Sequence, residues 1–154
     1  MLPWLGLALL IILLDQLSKQ IAVNMLVLHE PLAVLPGFNL MLTYNTGAAF
    51  SFLSDAGGWQ RWLFSIFAVV ISVVLLVWLY RLPRPARWLA CALALILGGA
   101  LGNLWDRLQY GHVIDFIQVY YQQWYWPAFN LADSAITVGA VMLIIDALWL
   151  SEDK

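Results

Sequence analysis

The stretch WLFSIFAVVISVVLLVWLY, Trp62 to Tyr80, contains no charged residue, no proline and no glycine. As a helix rising ~1.5 Å per residue, it nearly matches the ~30 Å hydrocarbon thickness of a bilayer. It reads as a membrane span, and the rest of the chain fits lipid as its solvent. Of 154 residues, 64% are apolar and only 10% charged, with a mean hydropathy of +0.85. Soluble domains carry about a quarter charged residues, so an independent water-soluble globule is excluded. Seven basic against nine acidic residues leave a net charge of −2, without the Lys/Arg stripe that phosphate neutralisation requires. No nucleic acid partner is expected. The single cysteine, Cys91, rules out an internal disulfide, and with His29 and His112 it makes no zinc-type spacing. Neither a metal nor another cofactor is indicated.

Working outward from 62–80, three more segments reach span length, at about 2–28, 88–105 and 131–150. The first lacks the basic head and small-residue cleavage site of a removable signal peptide, so it is read as retained. The expected architecture is a single all-α, multi-pass membrane domain over 1–154 with four transmembrane helices. The short connection between the second and third spans holds Arg81, Arg84 and Arg87, which by the positive-inside rule places it, and both termini, in the cytoplasm. The longer connections, about 29–61 and 106–130, then lie on the outer side. Trp59, Trp62, Trp78, Trp88, Trp105, Trp124, Trp126 and Trp149 fall at or near span ends, where amphipathic rings favour the headgroup layer.

In the first outer connection, Phe38, Leu40, Leu42 and Tyr44 alternate with Asn39, Met41, Thr43 and Asn45, the period of a half-buried strand, after the turn signal Pro36-Gly37. The second, Val113 to Phe129, mixes Ile117, Val119, Tyr120, Tyr121, Trp124, Tyr125 and Trp126 with three glutamines. Such amphipathic material is expected along the bilayer surface.

An ionisable group at the bilayer centre costs from ~3 to more than ~10 kcal/mol, so each one needs a partner or a task. Asp15 and Lys19 stand at i and i+4 with the acid first, the favourable order for an ion pair, and are read as structural. Asp146, near the cytoplasmic end, is expected to be solvated. In the third span, Gly98 and Gly102 make a small-residue face for close helix approach. Asn103, Asp106 and Arg107 share one helix face, emerging ~27 Å beyond Trp88 at the outer boundary.

Asp115 and Asp133 belong at the same level, joined by enough chain to leave the third span and return at the fourth. Asn130 precedes Asp133 by one helical turn, and Asn45 opens the small-residue segment Asn45-Thr46-Gly47-Ala48-Ala49-Phe50. Two acids a few ångströms apart do not both ionise cheaply; together they hold one proton at neutral pH. Such a pair can activate water with one carboxylate and protonate a carbonyl with the other. Both acids fit equally as helix caps, and spacing alone leaves cap and catalyst open.

Five ordered blocks carry a resemblance: Asp15-Gln16-Leu17-Ser18-Lys19; Asn45 to Phe50; Gly98 to Arg107; Gly111-His112-Val113-Ile114-Asp115-Phe116; and Phe129-Asn130-Leu131-Ala132-Asp133-Ser134. Together they resemble the bacterial lipoprotein signal peptidases, or signal peptidase II. The resemblance implies an aspartic protease of the bacterial inner membrane that cleaves prolipoproteins just before a diacylglyceryl-modified cysteine. It implies Asp115 and Asp133 as the catalytic pair, and Asn45, Asn103, Arg107 and Asn130 as residues that contact substrate backbone or hold the acids. Asp15, Lys19 and Asp106 take supporting positions. It also implies a small extracytoplasmic β-sheet and a surface segment over the site. The expected partners are the lipidated precursor and membrane lipid, with the protein a monomer.

A different class is a small proton-coupled transporter or channel subunit, with Asp15, Lys19, Asp115 and Asp133 lining a relay. The clustering of polar groups at one face argues against it. A Ser18/Lys19 protease is disfavoured because adjacent helical residues do not face each other. Cys91 lies in an apolar span without a polar base nearby in sequence.

Overall fold

A computed structural model describes residues 1–47 and 58–150. Ala48, Ala49 and Phe50 of the small-residue segment lie outside the described residues, as does the side chain of Trp149. The chain forms α1 (Leu2–Met25), β1 (Leu32–Leu35), β2 (Phe38–Asn45), α2 (Trp59–Arg81), α3 (Arg87–Tyr110), β3 (Val113–Tyr121), β4 (Trp124–Tyr125) and α4 (Leu131–Ile145). A five-residue π-helical turn, Asp146–Leu150, continues α4. Four helices are long and apolar enough to cross a membrane, and they carry the expected spans.

The ends differ from the expectation by local chemistry. After Met25 the chain leaves the helix, and Leu28 bridges to Leu42 of β2. Helix α3 runs past Trp105 to Tyr110 and stops at Gly111, whose φ of 84° ends the helix while its N–H still donates to Arg107 O. Only glycine adopts that conformation cheaply. Helix α4 starts at Asn130, whose side chain accepts the backbone N–H of Asp133. Asp146 corrects an expectation: it is 9% exposed rather than solvated.

Helix α3 is the hub. More than half of its most apolar window is buried, against less than a third for the other three helices. Leu93 and Leu97 of α3 pack with Ala8 of α1 and with Leu75 and Leu79 of α2. Outward faces such as Ile66, Phe67 and Val70 stay exposed, as a helix solvated by lipid requires.

The predicted small-residue face does mediate close approach. Gly98 meets Ala8 and Ile11, and Gly102 meets the Asp15 carboxylate. Gly99 is tighter still: a Cβ there would press into the backbone carbonyl of Ala132 and come within 2.7 Å of Ile136. Gly99→Val is therefore expected to wedge α3 from α4 and cost about 2–3 kcal/mol, read as a lower thermal midpoint in detergent. Gly6→Ala, with nothing within 4 Å of its Cβ, is the control and should leave that midpoint in place.

The four strands form one antiparallel sheet in the order β1-β2-β3-β4. Strand β2 is where alternation placed it, but its pairing with β3 shifts between Leu40 and Thr43. Past that irregularity the phase changes, so Asn39 and Leu42 are the buried members. Asn39 is buried as a donor to Gln118 at 3.1 Å. The amphipathic stretch that begins at Val113 is built first as β3, paired with β2. That register sets Asp115 beside Thr43 and Val113 beside Asn45, carrying Asp115 to the C-terminal end of α3.

Candidate active site

The site rests on a fully buried cation. Lys19 and Asp15 are both 0% exposed, one turn apart on α1. The Lys19 ammonium donates to Asp15 Oδ2 at 2.7 Å, to Asp106 Oδ2 at 2.8 Å and to Asn103 Oδ1 at 3.0 Å. An ammonium has three hydrogens, so its donors are matched one to one. Asp15 Oδ1 accepts the backbone N–H of Ala132 at 2.9 Å, and Asp106 Oδ2 that of Ile114 at 3.2 Å. The node thus ties α1 and α3 to the residues flanking both candidate acids. Sequence reasoning assigned no role to Gln16, which donates to Asp106 Oδ1 at 2.8 Å and to Asp15 Oδ2 at 3.2 Å. A polar residue next to Asp15 inside an apolar span was the available signal.

Asp115 and Asp133 arrive from different elements and are joined by one side chain. Asn130, 0% exposed, donates its amide to Asp115 Oδ1 at 2.7 Å while its carbonyl accepts Asp133 N–H at 2.9 Å. Asn45 donates to Asp115 Oδ2 at 3.2 Å. Asn103 donates to Asp133 Oδ1 at 2.7 Å. The capping side chain of α4 is Asn130, and Asp133 sits in the helix's first turn. Arg107 reaches Gly47 O at 3.3 Å, with its guanidinium 5.5 Å from the Phe64 ring centroid.

The nine site residues expected from the sequence belong to one network, which Arg107 joins through the backbone carbonyl of Asn103. They do not all face the same space. A cavity of about 710 Å³ is lined by Asn45, Asn103, Arg107, Asp115 and Asp133. Asp15, Lys19 and Asp106 lie behind it, and Asn130 is buried between the acids. Trp126, Phe129 and Ile136 contribute apolar wall, so the cavity suits a ligand that is mostly apolar with a few polar contacts. Among the described residues no group of three His, Cys, Asp or Glu side chains is placed to hold a metal ion.

Burial, and then the charge of Asp133, push the Asp115 carboxyl from its ordinary 3.8 up to about 7, against the hydrogen bonds from Asn45 and Asn130. An acid that is half protonated near neutrality, beside a second acid, is equipped for proton transfer in both directions. The Ser18 hydroxyl instead donates to Asp15 O at 2.8 Å, and Lys19 has no hydrogen left for it, so a Ser18/Lys19 pair is not assembled.

The comparisons with known proteins agree. The family model described as "Signal peptidase (SPase) II" matches residues 7–149. A protein named lipoprotein signal peptidase from Pseudomonas aeruginosa (strain UCBPP-PA14) is 60% identical over 147 residues, covering 94% of this chain and 87% of that protein. One of the same name from Pseudomonas syringae pv. tomato is 62% identical over 147 residues, covering 94% and 85%. A solved structure described as a bacterial membrane enzyme superposes with a TM-score of 0.87 at 29% identity, over 99% of this chain and 91% of that one. Four membrane-length helices, a buried polar network beneath two linked acids, and this match along nearly the whole chain establish that the protein belongs to the signal peptidase II family.

Proposed function

We propose that the chain is an aspartic endopeptidase that removes the signal peptide from diacylglyceryl-modified prolipoproteins just before the lipidated cysteine, with Asp115 and Asp133 as the catalytic pair. Membership of a peptidase family supports the activity. The observation that carries the assignment is the Asn130 link between two acids lining one cavity. One carboxylate takes a proton from water as the oxygen attacks the scissile carbonyl carbon, and the other acid gives its proton to the carbonyl oxygen. Collapse of the tetrahedral intermediate breaks the C–N bond, and the proton taken from water passes to the departing amine. Asn45 and Arg107 line the same cavity and are placed to hold an extended backbone.

The loop Arg81–Arg87 lies at the opposite end of α3 from the acids, which supports a cytoplasmic loop and termini, with the site at the outer face of the inner membrane. A monomer, with the cavity's apolar wall taking part of the lipidated substrate, completes the reading. The transporter alternative is not supported: the relatives are named peptidases, and Lys19 is spent on Asp15, Asp106 and Asn103.

The test is incubation of the purified protein with a diacylglyceryl-modified precursor. The expected products are the free signal peptide and a chain beginning at the lipidated cysteine; an intact precursor after prolonged incubation sinks the proposal. Because Asp115 sits at about 7, kcat/KM should fall as pH rises through that value and the pair loses its shared proton. A profile still flat well above it contradicts this assignment of the proton.

A further inference from the structure

We propose that Lys19 is a positioning residue for the catalytic pair: by holding the carbonyl of Asn103, it forces that side chain's amide to face Asp133. The inference rests on the catalytic reading of Asp115 and Asp133 and extends it to a residue outside the cavity.

The argument is one of donor and acceptor polarity. An asparagine side chain is nearly symmetric in shape, and only its partners decide which end is the donor. The Lys19 ammonium only donates, and it approaches one end of Asn103 at 3.0 Å. That end must be the carbonyl, so the other, 2.7 Å from Asp133 Oδ1, must be the amide. Asn130 also touches the Asn103 carbonyl, at 3.2 Å, but its amide is shared with Asp115 Oδ1 and Ile114 O. Its short bond goes to Asp115 at 2.7 Å, and the Asn103 and Ile114 oxygens share what is left at 3.2 Å each. Lys19 is committed: Asp15 and Asp106 pin its other two hydrogens, and all three side chains are fully buried. If Asn103 turned over, its carbonyl oxygen would face the Asp133 carboxylate at hydrogen-bond distance. Two acceptors repel at that range, and the carboxylate would lose its fixed orientation toward the reacting water.

The test uses the full-length protein and removes Lys19 while leaving one buried carboxylate of the node instead of two. Every variant carries Asp106→Asn, so that Lys19→Met leaves the one remaining anion of the node, Asp15, held by the Ala132 N–H and Gln16. On that background Lys19→Met should lower kcat about tenfold or more and leave KM within about twofold. Once Asn103→Ala is also present, Lys19→Met should cost nothing further, because the group it acted through is gone. Equal losses with and without Asn103, or an unchanged kcat in folded protein, overturn the inference.

A second variant serves if Lys19→Met does not fold. Asn103→Asp keeps an acceptor for Lys19 but replaces the fixed amide donor to Asp133 with another acid. Crowding a further carboxyl there should lower the thermal midpoint somewhat and lose kcat in the folded protein; wild-type kcat would overturn the inference. Asp115→Asn and Asp133→Asn are run alongside. If either still cleaves, the catalytic reading fails; if both are inactive and the Lys19 and Asn103 losses simply multiply, only the role of Lys19 fails.

Discussion

Asp115→Asn and Asp133→Asn are each expected to lower kcat by a factor on the order of 10³, with the protein folded. An amide has the shape of the carboxyl it replaces, but it neither takes a proton from water nor gives one to a carbonyl oxygen. At Asp133 the new amide's carbonyl can still accept from Asn103; at Asp115 both oxygens accept amide donors, so Asp115→Asn sets its NH2 against Asn130 or Asn45 and costs some stability while the protein stays folded. The two replacements should not multiply. Residues acting as one unit lose nearly everything at the first removal, so the double variant should be about as slow as either single one. Substantial turnover in either single variant would remove that acid from the mechanism.

The same replacement has a stability consequence whose sign follows from burial. The Asp115 carboxyl rises from 3.8 to about 7 on folding, so between those values the folded protein binds more protons than the unfolded chain. Its contribution is present in full below the unfolded value and is lost as pH rises through the folded one. Thermal midpoints of wild type should therefore decline from pH 5 to pH 8 relative to Asp115→Asn, which has nothing to titrate at that position. Parallel curves would show that Asp115 does not take up this proton.

The second large effect concerns stability. Lys19→Met alone is expected to cost about 3–5 kcal/mol, the usual loss when one partner of a buried ion pair is removed. The side chains of Lys19, Asp15 and Asp106 have no solvent exposure, so both carboxylates would be left buried with only neutral donors. Arg84→Ala is the comparison: Arg84 is an exposed loop cation, and its removal should stay within about 0.5 kcal/mol. A drop in thermal midpoint no larger than that for Arg84→Ala would show that the node does not hold the helices together.

Much of this was legible before any coordinates. The four spans followed from apolar length, because lipid penalises every unpaired charge and the exceptions stand out. The shared face of Asn103, Asp106 and Arg107 followed from helical spacing, and the close contacts of Gly98 and Gly102 from the absence of a side chain. What stayed hidden depends on partners distant in the chain. Val113–Tyr121 has the composition of a surface-lying segment, and only pairing with β2, some seventy positions earlier, makes it the strand that carries Asp115. Gln16 stands out locally only as a polar neighbour of Asp15; that it joins Asp15 to Asp106 depends on where α3 packs. Nor does Asn130 show in sequence that it caps α4 with one end and holds Asp115 with the other.

The sequence by itself determined the solvent, the number of spans, and which polar residues had to find partners, since these follow from composition and from the fixed rise and period of a helix. Only the tertiary structure decided who those partners are. Hydrogen-bond direction depends on which donor meets which acceptor in three dimensions, and here that choice separates the acids that line the cavity from those that hold Lys19 behind it.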